Sequence, residues 1–330
     1  MTGFPDGKRF AFTIIDDTDV ATVESVAPVY RLLEDLGMRT TKTVWPLACP
    51  EGSPNFDTSQ TLEDEPYREF VLDLQRRGFE IASHGATMES SRRERTARGL
   101  EIMRATFGAY PAVYANHSSN RENLYWGSAR VDDPLVRAVY RLLIPDPDGY
   151  LGHVEGSAYW WGDLAKAHVQ YVRNLTYETL DVTSVNPTMP YRDPSRPAVN
   201  WWFSAADAND CSAFNRLVRL REQERLERRG GVAILATHLG KGYAENGRVN
   251  IETERLLVAL SKRNGWFVPV GTLLEHLRAQ GNGGTIPAAE WRRMQWRWLA
   301  STLKRGVVAR VRYELERRIQ PSGRRRDTRP

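Results

Sequence analysis

An α/β fold on parallel strands, either a barrel or an open sheet, is what this sequence predicts, and three observations predict it. Short apolar runs alternate with amphipathic stretches of helical spacing across most of residues 8–279. Four of the runs stop at side chains able to do chemistry: Asp16-Asp17, His84, Asn116-His117 and His238. In parallel α/β folds the carboxyl ends of the strands converge on one face, where such residues can meet. Finally, a chain of 330 residues, 41% of them hydrophobic, has enough apolar side chains for one large core.

Phe10–Ile15 is the first strand, rich in aromatic and β-branched residues and ended by two carboxylates. Burying two adjacent aspartates costs desolvation and repulsion, so a metal, a cation or a shared proton is expected beside them. A helix over residues 23–36 stops at Gly37, and a strand over 43–47 leads into the polar loop CPEGSPNFDTSQ. The spacing of Tyr67, Phe70, Val71 and Leu74 predicts a helix over 63–77. Phe79–Ser83 is a strand ending on His84, residues 91–107 a helix, and Pro111–Ala115 a strand ending on Asn116-His117. Residues 118–200 break the rhythm, apart from a helix over 134–143 and an aromatic stretch, 199–203, that reads as a strand or a wall of rings. It resumes with a helix over 212–229, the strand Val232–Thr237 ending on His238, a helix over 251–263, a strand over 266–270 and a helix over 272–279.

The net charge of +5 conceals an asymmetry. Residues 291–330 carry net +10 and the first 290 carry net −5, so the basic character belongs to the tail. Nucleic-acid binding is therefore disfavoured for the body. Gln280-Gly281-Asn282-Gly283-Gly284-Thr285 reads as the start of a linker over 280–290. Beyond it Trp291, Met294 and Trp298, then Val307, Val311, Leu315 and Ile319, mark a basic amphipathic helical tail over 291–330. It either packs on the body or meets an anionic membrane or acidic partner, and PSGRRRDTRP at its end reads as disordered. Cys49 and Cys211 fit no metal or redox spacing. The opening MTGFPDGKRFAF reads as neither signal peptide nor membrane span, and cytoplasmic residence is the expectation.

Three of the six histidines sit just after apolar strands. Together with Asp16 and Asp17 they make the carboxylate-and-imidazole set expected of a catalytic zinc or a related divalent metal. Asp16-Asp17 after a strand, Glu80–His84, Ala233–His238 and Trp266–Val270, in that order, resemble the motifs of the polysaccharide deacetylase family, the NodB-like carbohydrate esterases of family 4. The resemblance covers residues 8–279 and implies a distorted (β/α) barrel with metal-dependent N-deacetylase activity. It places the general base on Asp16, a metal ligand on Asp17, another on His84, and the general acid on His238.

This chain departs from the family pattern in three places, the first being Thr18, followed by a further acid, Asp19, where the family has a glycine after the aspartate pair. Met88 stands where the family's second metal histidine is usual, and His117 is the expected substitute, with Glu89 as a less direct one. The arginine that steadies the catalytic aspartate is missing from Ala109-Tyr110-Pro111, leaving Arg121 or Arg92 to reach in. Asn116, Asn120, Trp160, Trp161, Trp201 and Trp202 are candidate substrate contacts, the indoles as platforms for a sugar ring. The expected substrate is an acylated amino sugar in a cytoplasmic glycoconjugate, or in a nucleotide- or lipid-linked sugar at the inner membrane face. Hydrolysis of a formamide or cyclic amide is the alternative, as is a non-catalytic glycan-binding or scaffold role on a degenerate barrel.

Overall fold

The computed structural model describes residues 3–144 and 146–319, and from residue 305 onward the backbone alone. The terminal PSGRRRDTRP and the side chains of Val307, Val311, Leu315 and Ile319 lie outside the described residues. In chain order the elements are β1 (Phe10–Asp16), α1 (Val23–Asp35), β2 (Thr41–Val44), α2 (Glu65–Arg76), β3 (Glu80–Ser83), α3 (Arg93–Phe107) and β4 (Val113–Ala115). Then come α4 (Pro134–Leu143), α5 (Gly162–His168), β5 (Tyr171–Tyr177), β6 (Trp201–Asp207), α6 (Cys211–Leu217), α7 (Leu220–Arg229) and β7 (Val232–Thr237). A small hairpin, β8 (Ala244–Glu245) and β9 (Arg248–Val249), precedes α8 (Ile251–Ser261), β10 (Gly265–Phe267), α9 (Val270–Ala279) and α10 (Ala288–Ile319).

Strands β1 to β7 form a closed parallel barrel, sealed by six register pairs between β1 and β7 that run from Ala11↔Val232 to Asp16↔Thr237. This is the distorted (β/α) barrel that the motifs imply. Its distortion sits on β1, whose beginning pairs with β10 (Phe10↔Gly265) and whose end pairs with β2 (Ile15↔Thr41, Asp16↔Lys42). All seven residues of β1 are buried. That accounts for its unbroken apolar run, since a parallel strand covered on both sides has no polar face.

Alternation along β1 decides where the two aspartates go, because successive side chains leave a strand on opposite faces. Asp16 turns toward the helical layer, where Tyr30 of α1 donates its hydroxyl to Oδ2 at 3.0 Å and Lys42 Nζ lies 2.9 Å from the same oxygen. Both partners of this ion pair are fully buried. Burial works to lower the Lys42 pKa, and the Asp16 charge beside it overcomes this and holds the ammonium above the ordinary lysine range. The backbone N–H of Leu239 donates to Asp16 Oδ1 at 2.8 Å, so the pair also ties the end of β7 to β1 and β2.

The structure adds two elements inside the unreadable stretch, α5 and β5, and divides the helix expected over 212–229 into α6 and α7. At the break Arg219 is extended (φ −54°, ψ 149°), and the Gln223 amide takes the Val218 carbonyl. The aromatic stretch near 199–203 is a strand, β6. Residues 280–287 are held against the barrel by Trp201 Nε1–H donating to Gly283 O at 3.2 Å and by Ile286 N–H donating to Arg192 O at 3.0 Å. The start of α10 buries Trp291, Met294 and Trp298 in a second core shared with Trp161, Trp202 and Tyr140. Among the described residues no helix is long and apolar enough to cross a membrane.

Two stability outcomes follow. Lys42→Met leaves Asp16 charged without its cation, and an equilibrium urea titration should show a loss of about 3–5 kcal/mol, much of it recovered in Asp16→Asn/Lys42→Met. Trp298→Ala, which empties part of the second core, should cost about 3–5 kcal/mol in the same titration. A loss within about 0.5 kcal/mol would mean that α10 is not docked as described.

Candidate metal centre

The mouth of the barrel is a cavity of about 290 Å³ lined by Asp17, Asp19, His84, His117, Arg173 and His238, with Trp126, Arg130 and Lys241 toward the rim. Four strand ends and one strand interior supply its chemistry: β1 leads to the aspartates, β3 to His84, β4 to His117 and β7 to His238, while Arg173 stands third in β5, paired with Ala115 at the end of β4. Asp17, the residue after Asp16, faces inward. Arg173 grips its carboxylate with two parallel hydrogen bonds, Nη1 to Oδ1 at 2.8 Å and Nη2 to Oδ2 at 2.6 Å. Burial works to raise the Asp17 pKa, but the guanidinium, with His84 and His238, holds it below the usual carboxylate range.

Asp19, two residues further along, is the carboxylate the histidines surround. Its oxygens lie 3.3 Å from His84 Nε2, 3.7 Å from His117 Nε2 and 3.0 Å from His238 Nε2, with Lys241 Nζ at 3.6 Å. Burial opposes ionisation of Asp19, and the contacts of His238 and His84 more than offset it, so the carboxyl stays well below its ordinary pKa.

Each of the three imidazoles is turned by the atom its Nδ1 meets. His84 Nδ1 lies 2.9 Å from Ala115 O and His238 Nδ1 2.7 Å from Asn209 O, and only Nδ1–H can satisfy a carbonyl. His117 Nδ1 lies 3.0 Å from Asn120 Oδ1. The Asn120 amide cannot be reversed, because its Nδ2 donates to Thr87 O, Glu89 O and Glu122 Oε1. His117 is therefore the Nδ1–H tautomer as well.

With Nδ1 engaged behind each ring, His84 and His117 both turn Nε2 toward the Asp19 carboxylate. One donor atom each from Asp19, His84 and His117 falls within 4.8 Å of the others. Burial, reinforced by His84, pushes His117 below the ordinary histidine range and keeps its lone pair available. Asp19 Oδ1 is buried without a hydrogen-bond partner. Two imidazole lone pairs, a carboxylate with an orphaned oxygen, and fixed hydrogen bonds behind each ring form a donor set that fits a divalent cation.

The structure places the expected residues unevenly. His84, His117 and His238 meet as expected. Asp16, expected as general base, lies behind the mouth in its ion pair with Lys42. Asp17, expected on the metal, is instead gripped by Arg173, while Asp19 stands with the histidines. Arg121 is on the surface, 3.8 Å from Asp146. Glu89 turns away to Ser53 and Asn55, and Met88 Sδ accepts from the Thr58 hydroxyl. Asn116 lines the mouth but spends its amide on Leu124, and Asn120 supports His117 from behind.

The proposed indole wall is absent from the mouth. Trp161 is buried and donates to Glu122 O, Trp202 is core, and Trp160 lies on the α5 side, its carbonyl bound by Arg93. Trp201 starts β6 at the opposite end of the barrel, between Arg192 and Arg278. The indole that does line the mouth is Trp126, with the Arg130 guanidinium 3.5 Å over its ring. Of the residues to which the sequence assigned no role, Asp19 carried the clearest signal, as a further acid two residues after Asp17. Arg173 had only the unassigned alternation of YVRNLTY, and Trp126 and Lys241 had none.

No family model and no curated protein matches the chain. Solved structures do. PuuE allantoinase is 12% identical, with a TM-score of 0.50 over 84% of this chain and 93% of that one. A provisionally named polysaccharide deacetylase from Mycobacterium smegmatis is 15% identical (TM-score 0.49, 87% and 96% covered). A probable polysaccharide deacetylase from Pseudomonas aeruginosa PAO1 is 14% identical (TM-score 0.48, 84% and 94% covered). At 12% identity the likeness to PuuE allantoinase concerns the fold alone.

Proposed function

We propose that this protein is a metal-dependent hydrolase that removes an acetyl or other small acyl group from the amide nitrogen of an amino sugar. The observation that carries the reading is the pairing, within one mouth, of a guanidinium-gripped carboxylate with an Asp-His-His donor set. Asp19, His84 and His117 would hold the cation, most simply Zn²⁺. Bound there, it supplies positive charge that makes a water more acidic and a carbonyl more electrophilic.

Asp17 is ionised and fixed in direction by Arg173, and it accepts the proton of the attacking water. His238, on the far side of Asp19, delivers a proton to the departing amine, an otherwise poor leaving group. The ring of Trp126 offers the flat surface a sugar would use. The substrate class rests on the motif resemblance. A cytoplasmic glycoconjugate, or a nucleotide- or lipid-linked sugar, is the setting we propose. The likeness to an allantoinase bears on a second reading, hydrolysis of a cyclic amide, which the same residues would serve.

Metal analysis of purified protein tests the first step. The wild type should carry close to one divalent ion per chain, while Asp19→Ala and His117→Ala lose it and Asp17→Asn retains it. A metal-free wild type after reconstitution would sink the mechanism. Acetate release from N-acetylated sugar nucleotides, measured beside ring opening of cyclic amides, decides between the two substrates.

The pH profile tests Asp17. With Arg173 in place its carboxyl is held below the usual carboxylate range, so Asp17 stays ionised and does not set the acid limb of activity. In Arg173→Met the burial that raises the pKa is no longer opposed. The acid limb of kcat/KM should then move to higher pH, and an unmoved limb would remove Asp17 from the base role.

A further inference from the structure

Five of the nine large hydrophobic side chains standing exposed among the described residues lie on only two helices, α4 and α10. On α4 these are Leu135, Leu142 and Leu143, which are 63%, 85% and 50% exposed. On α10 they are Trp296 and Leu303, 40% and 41% exposed. Neither helix needs them for packing. α4 turns Val136 and Tyr140 into the second core, and α10 turns Trp291, Met294, Trp298 and Leu299 into it. The exposed residues form their own stripes, because Leu135 and Leu142 are seven residues apart, as are Trp296 and Leu303, and a seven-residue step nearly completes two helical turns.

The two helices that carry these stripes pack against each other. At one end Trp296 Nε1–H donates to Asp133 Oδ2, the N-cap of α4, at 3.2 Å. Further along, the rings of Tyr140 and Trp298 are 5.2 Å apart. The two helices therefore run in the same sense. Around the indole the outward face of α10 is cationic, with Arg292, Arg293, Trp296 and Arg297 lining one shallow depression, while Lys304 beyond it is paired with Glu178. Among the described residues, the carboxylate that pairs with the arginines of this depression is Asp133, 3.4 Å from Arg292. Arg297 donates to the Ser184 carbonyl at 3.0 Å and makes no ion pair with a carboxylate among the described residues.

Leucines and a tryptophan in a field of arginines are the composition of a helix face that lies in the headgroup region of an anionic bilayer. The apolar side chains enter the acyl boundary, and the cations meet lipid phosphates. We propose that the α4–α10 face is a membrane-docking surface for anionic lipid. The sequence placed that possibility in the basic tail alone, whereas the structure adds α4, whose leucines the tail reading did not include. The inference is independent of the chemistry proposed for the mouth.

Co-sedimentation of the full chain with vesicles tests it. Binding is expected to mixed phosphatidylglycerol–phosphatidylcholine vesicles, to be weak for phosphatidylcholine alone, and to fall as salt rises. Leu142→Glu and Trp296→Ala each leave residues 305–330 intact, and each should weaken partition about tenfold. Leu142 is so exposed that its replacement leaves the fold untouched, which circular dichroism verifies. Unchanged binding in both variants would assign the interaction to residues beyond 304 and overturn the proposal. So would a dimer in sedimentation velocity that Leu142→Glu dissolves while vesicles are ignored, since the face would then join two copies of the chain.

Discussion

The buried ion pair between Asp16 and Lys42 is the interaction on which the rest of the mouth depends. It joins two neighbouring strands at the rung where they last pair, Asp16↔Lys42, and through Leu239 N–H it holds the residue that follows His238. A charge pair with no solvent exposure is costly to bury. It persists because Tyr30 and the Leu239 amide saturate the carboxylate. Thr43 reinforces the same corner, its hydroxyl donating to Asp16 O and accepting from Thr18 N–H. Asp17 and Asp19 therefore leave the barrel from a backbone fixed on both sides, although both lie beyond the end of β1.

The same economy governs the imidazoles. No ring is held by its packing alone, and each Nδ1 has an oxygen acceptor that settles both tautomer and direction. Glu122 illustrates how far back the support extends. Its carboxylate binds Asn120 and the Ser91 amide, and burial, partly offset by those bonds, raises its pKa to about 7. A carboxyl at that depth supports a ligand from behind rather than offering itself to substrate.

The fold was legible because its signals are local: apolar runs, glycine stops, and histidines at strand ends. The site was legible in its histidines, each of which stands at its own strand end, and misread in its carboxylates. The adjacent pair drew attention, yet strand alternation sends neighbours to opposite faces, so Asp16 and Asp17 could not share a mouth. Asp19 reaches the mouth from the turn that follows β1, where strand alternation no longer applies. Arg173 was hidden for a different reason. Its strand follows a short helix and a long irregular stretch, where the periodicity that marks a strand–helix repeat is lost. The indoles show the limit of composition, since Trp161, Trp202 and Trp298 fill a core, and the one at the mouth had no pattern around it.

Closure of the barrel has a consequence for the order in which the molecule can be made. The seam joins β1 to β7, and Asp19 meets His238 only when that seam forms, with more than two hundred residues between them. His84 and His117 can approach Asp19 as the first half of the barrel assembles, but Arg173 and His238 arrive later. In chain order Asp19, His84 and His117 precede Arg173 and His238, so the three candidate metal ligands are synthesised before the groups proposed to move protons. A cation captured then would tie β1, β3 and β4 before the last strands arrive, and would act as a template for closure as well as a participant in the finished site.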